Sequence, residues 1–140
     1  MPTRMERLSD PRREIWLRLV LVGICAHSAL VGVGLMVQPA ALLDRAGYEP
    51  LTEPFFARQG GVFHILMAVA YAGAVAGPWS RRTLIPFAIL VKTVAACFLL
   101  THWLLVRGAW VVPVSGLVDG LMAVVLWWSW ARKPEAGSTP

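Results

Sequence analysis

The chain reads as an all-α protein, a transmembrane bundle of four antiparallel up-down helices. Three observations carry that reading. Of 140 residues, 57% are hydrophobic and only 15% are charged, and the mean hydropathy is +0.62. Four long runs are nearly free of formal charge. The basic residues that remain cluster between and beyond those runs. Apolar residues plus glycine reach about 64%, against roughly 45–50% in soluble domains. The same balance excludes disorder, and the length suits one domain.

The runs follow in order. A membrane helix needs about 20 mostly apolar residues. The first span is expected over 15–37, since Leu19 to Val37 holds no Asp, Glu, Lys or Arg. Its apolar stretch is too long for a signal-peptide core, and no clean small-x-small cleavage site follows, so it is expected to be retained. The second is expected over 59–80, also free of formal charge. The third, 83–106, contains Lys92, and the fourth, 108–131, contains Asp119. Barrel strands would be about half as long and would alternate. Turns are expected at Pro78 with Arg81-Arg82, and at Arg107-Gly108. The longest loop, 38–58, carries Pro39, Gly47, Pro50 and Pro54, with a short interfacial turn expected over Ala40 to Ala46. Residues 1–14 and 132–140 are read as cytoplasmic segments flanking a 15–131 membrane domain, with mobile tails at Met1–Asp10 and Pro134–Pro140.

Orientation follows from Lys and Arg placement. One side carries Arg4, Arg7, Arg12, Arg13, Arg18, Arg81, Arg82, Arg132 and Lys133; the other carries Arg45, Arg58 and Arg107. Both termini are therefore expected in the cytoplasm, in a bacterial inner membrane. The net charge of +5 then reports topology and contact with anionic headgroups, not nucleic acid, for which no motif is present. Trp16, Trp79, Trp127, Trp128 and Trp130 at one end, with Trp103 and Trp110 at the other, are expected to form interfacial belts.

Ionisable groups inside a membrane are expensive and mark candidate sites. Lys92 and Asp119 lie on consecutive antiparallel helices, about 15 Å and 20 Å from the basic edge, so a contact between them is expected. His27 and His64 lie at similar depth. Gly23, His27 and Gly34 are expected to share one face, and Gly60, His64, Met67 and Tyr71 another, both mixing small and polar residues as interior faces do. The expected constellation is a polar layer of His27, His64 and Asp119, with Lys92 and Tyr71 below it. Arg58 opens the second span and is either an interfacial anchor or a grip for an anionic group at the bundle mouth. Asp44, Glu49 and Glu53 are candidate partners of Arg45 and Arg58. Gly116 with Gly120, and Gly73 with Gly77, are small-residue pairs suited to close helix packing. Cys25 and Cys97 show no CxxC or metal spacing and are read as inert thiols. His102 is read as a headgroup contact.

Three readings of the layer stand. The first is an accessory, non-catalytic membrane protein holding an apolar or quinone-like ligand at His27, His64, Tyr71, Lys92, Asp119 and Arg58. The second is a redox protein in which His27 and His64 ligate haem or a metal. The third is a proton-coupled transporter using Lys92 and Asp119, disfavoured because Pro86 and Pro113 interrupt the spans only near their ends. Partners would be the bilayer and either a membrane redox complex or further copies of the chain. No catalytic motif or cofactor signature stands out.

The stretch Ala46-Gly47-Tyr48-Glu49-Pro50 through Arg58, Gly61 and Tyr71, together with Arg81-Arg82, Lys92 and Asp119, resembles the DoxX-like group of small bacterial four-helix membrane proteins. The resemblance runs from about Ile15 to Ala131. It implies a four-helix membrane bundle and, for some members, association with quinol oxidase subunits or membrane redox complexes. No catalytic motif is matched residue by residue, so it implies no particular activity here.

Overall fold

The computed structural model describes residues 11–49 and 53–131, without the side chains of Arg13, Pro78 and Trp79. Both expected tails, Pro50, and the basic residues Arg4, Arg7, Arg132 and Lys133 lie outside the described residues. Five helices follow in order: α1 Pro11–Val37, α2 Ala40–Arg45, α3 Phe55–Ala76, α4 Pro78–Val106 and α5 Val111–Ala131. The four long ones form an all-α bundle, and each is long and apolar enough to cross a membrane. The short turn expected at Ala40–Ala46 is the one-and-a-half-turn helix α2, with no buried residue.

Several boundaries move from their expected places. The break between the second and third spans falls at Gly77, not at Arg81-Arg82. Gly77 is extended and Pro78 occupies the first turn of α4. A residue preceding proline is pushed out of the helical region, whereas proline itself suits a first helical position. Arg81 and Arg82 therefore sit inside α4. Helix α3 begins at Phe55 directly after Pro54, four residues before its expected start. Helix α1 begins at Pro11, again a proline start. Arg107 takes a left-handed φ of 57° and closes α4 by donating its N–H to Trp103 O at 3.0 Å, so α5 starts three residues later than expected. Pro86 lies within α4 without ending it.

The helices pack as two pairs. Helix α1 packs chiefly on α3 and α4 chiefly on α5, with lighter contacts of α3 to α4 and α1 to α5. The backbones of the diagonal helices stay apart, as expected for an up-down ring. Polar ties place the start of α1, the end of α3, the start of α4 and the end of α5 at one end, here the terminal end. The other end carries α2 and is the loop end.

Each pair closes through glycine. A Cβ at Gly61 would lie 2.7 Å from Gly32 O, and one at Gly32 would lie 2.9 Å from Gly61 O. No larger residue permits this backbone crossing of α1 and α3. The closest approach thus avoids the glycines of the two expected faces: Gly23 has open space beside it, and Gly34 and Gly60 make only ordinary contacts, while Met67 and Tyr71 of the second face do turn inward. The α5 pair behaves as expected of internal packing, with Gly116 tight against Leu99 and Leu100 and Gly120 against Ala96. Gly73 sits against Leu84 on α4, while its expected companion Gly77 has no neighbour and serves as the helix break.

The apolar core occupies the terminal half. Leu17, Leu21, Ile24, Tyr71, Ala74, Ile85, Ala88 and Leu126 form one buried cluster drawn from all four spans. Among the described residues, thirty large apolar side chains are exposed, Leu30, Val69, Phe98 and Leu105 among them. A soluble protein would not carry that surface; a bilayer is its natural solvent.

Candidate functional site: a polar seam between two helix pairs

Lys92 and Asp119 form the expected pair. Lys92 Nζ donates to Asp119 Oδ1 at 2.6 Å, and the two side chains are 3% and 6% exposed. Both belong to the α4–α5 pair. An isolated charge at this depth costs roughly 2.5–3.5 kcal/mol or more, so each partner makes the other tolerable. The pair is electrically neutral as seen from outside.

The other polar groups face it from α1 and α3. The Lys92 ammonium sits 6.0 Å from the centre of the Tyr71 ring, within cation–π range. His27 and His64 are half-buried, and both lie close enough to Lys92 and Asp119 to interact with them electrostatically. His64 is also within such reach of His27. The layer is thus divided by the seam between the pairs, with His27, His64 and Tyr71 on one wall and Lys92 and Asp119 on the other.

Three atoms on the α1–α3 wall are sealed yet unpartnered: His27 Nδ1, Ser28 Oγ and Tyr71 Oη. Buried polar groups are normally hydrogen-bonded, so three in one layer mark it out. Ser28 is the residue that sequence reasoning missed. A serine in an apolar helix carries no motif; only its helical spacing from the buried Leu21 and Ile24 could have placed it inward. Lys92 has three donors and one hydrogen bond.

Arg58 does not join this layer. It is exposed at the loop end. It and Arg45 make no ion pair with the loop carboxylates, and Glu53 instead accepts from the Phe55 N–H at 3.1 Å. No group of three or more His, Cys, Asp and Glu side chains suited to a metal occurs among the described residues.

Arg81 has a role the basic count did not foresee. It is buried rather than exposed. Its guanidinium donates to Ala74 O at 2.9 Å and Val75 O at 3.2 Å, carbonyls that the end of α3 leaves without helical partners. It also pairs with Glu14 at 2.5 Å, and Glu14 holds Arg18 as well. Trp16 Nε1–H donates to Ser129 Oγ at 3.2 Å, tying α1 to α5. These ties fasten both pairs together at the terminal end.

The loop end is fastened differently. Trp110 Nε1–H donates to Arg45 O at 3.0 Å, and its indole lies against Gly47. Gly47 has a φ of +83°, and a Cβ there would come within 2.8 Å of the Trp110 ring. Partial burial raises the Tyr48 phenol above its ordinary range. His102 is exposed and stacks on Phe98 at 5.9 Å. Cys25 donates to Ala68 O at 3.2 Å, and Cys97 faces outward.

Four apolar spans, an outward apolar surface and a buried polar seam define a small multi-pass membrane protein. No family model, curated protein or solved structure matches the chain.

Proposed function

We propose that this protein is an accessory, non-enzymatic component of a bacterial inner membrane, with both ends in the cytoplasm, that holds a bilayer-soluble, quinone-like ligand in its bundle. The observation that carries this reading is the set of sealed, unpartnered atoms on His27, Ser28 and Tyr71 opposite the Lys92–Asp119 pair. A ligand with a compact polar head would satisfy them while its apolar body stayed among lipid-like side chains. The neutrality of the pair favours an uncharged head over a carboxylate or phosphate. The DoxX-like resemblance supports the same reading, with a membrane redox complex or further copies of the chain as partners.

Titration of the purified protein in nanodiscs with a decyl-substituted benzoquinone tests it. Saturable binding is expected, weakened about tenfold or more when Tyr71→Phe and Ser28→Ala are combined, the loss of two hydrogen bonds of about 1 kcal/mol each. Absence of saturable binding by the wild-type protein overturns the reading. The proximity of His27 to His64 on neighbouring helices favours one second reading, a haem held by both imidazoles. A Soret band in the purified protein, lost in His64→Ala, would establish it.

A further inference from the structure

The seam differs along its length. In the terminal half, large side chains from all four helices fill it. In the loop half (29–37, 55–67, 95–106 and 111–118), the buried residues are Gly32, Gly61, Ala96 and Gly116 alone. The glycine contacts there lie within a pair, Gly32 on Gly61 and Gly116 on Leu99 and Leu100. Across the seam, the loop end is held by an exposed bond from Trp110 to Arg45 O. Each pair is thus stiff in itself, while the two pairs are joined firmly at one end only.

The polar layer lies at the boundary between these halves. On one wall Tyr71 lies beside a lysine with unused donors on the other, and the unpartnered His27 Nδ1 and Ser28 Oγ belong to the Tyr71 wall. In hydrocarbon, polar groups left without partners are costly, so the closed arrangement carries a penalty that water or a polar head entering the seam would relieve.

We infer that the two helix pairs part at the loop end, hinged on the terminal-half core, and admit water and an amphiphile's uncharged head to Ser28, His27 and Tyr71. The head is one that accepts hydrogen bonds, as a quinone carbonyl does, because Lys92, Tyr71 and Ser28 all offer donors. The occupant rests on the function proposed above; the opening does not.

Thiol accessibility separates the two. Maleimide reacts with the thiolate, which forms where water reaches. Ser28→Cys and Leu21→Cys place reporters on one face of α1, about 10 Å apart along its axis. Ser28→Cys sits in the polar layer and Leu21→Cys in the apolar core. The full chain in nanodiscs is treated with N-ethylmaleimide, and labelling is read at each site by peptide mass spectrometry, apart from Cys25 and Cys97. Ser28→Cys is expected to label about tenfold faster or more than Leu21→Cys, and a fully substituted decylbenzoquinone, with no free ring carbon for a thiol to add to, is expected to slow it. Should Leu21→Cys fail to fold, Ala74→Cys reports on the same core. Equal slow labelling at both positions overturns the opening. Equal fast labelling overturns the hinge, since the whole bundle would then be loose. Fast labelling of Ser28→Cys that the quinone does not slow, together with no saturable quinone binding by the wild-type protein, leaves the opening in place and overturns the occupant and the function proposed above.

Discussion

The two halves of this bundle solve the same packing problem in opposite ways. The terminal half interlocks large side chains across all four helices and adds polar ties: Arg81 to the carbonyls ending α3 and to Glu14, and Trp16 to Ser129. The loop half brings helices together in pairs, through a backbone crossing at Gly32 and Gly61 and through Gly116 seated against the side chains of Leu99 and Leu100. Lipid tails are as apolar as leucine, so burying leucine gains little over leaving it in the bilayer, and membrane helices associate through close packing and polar contacts. Glycine crossings optimise the first within a pair, but join only two helices at a time. A mixed core joins four. The polar layer sits where one regime gives way to the other.

The largest expected effect falls on the boundary. Lys92→Met or Asp119→Leu alone strands a charge and is expected to destabilise by about 3–5 kcal/mol, while the double variant recovers most of that loss. Unfolding of the purified protein in mixed micelles measures all three. A double variant no better than either single one would mean that the pair does more than neutralise itself.

The terminal half comes next. Leu126→Ala opens a cavity in the shared core and is expected to cost about 2–5 kcal/mol, whereas outward-facing Leu117→Ala should stay within about 0.5 kcal/mol. Equal effects at the two sites would dissolve the distinction between core and lipid face. The smallest effect tests the glycine crossing. Gly61→Ala places a methyl against the Gly32 backbone and is expected to cost about 1–3 kcal/mol, while Gly23→Ala, with open space beside it, should be neutral or slightly stabilising. Similar values at both positions would count against a backbone-to-backbone contact.

Much of this architecture is legible in the residues. Spans appear as charge-free runs because hydrocarbon excludes charge, and Lys92 and Asp119 find each other because two lone opposite charges at similar depth have nowhere else to go. Other features are not legible. Of several glycines in these two helices, only tertiary packing selects Gly32 and Gly61, since the residues alone do not fix how each helix is rotated about its axis. Arg81 looks like any loop arginine by count; its burial depends on the chain breaking at Gly77, which places its guanidinium beneath the end of α3.

By itself, then, the sequence determined the number of spans, their order and the opposite charges that must meet, because hydropathy and charge act residue by residue. The tertiary structure alone decided which helices pair, that the polar groups face one another across a seam, and that Ser28 belongs among them. Those depend on the rotation and tilt of whole helices, set by contacts between residues far apart in the chain.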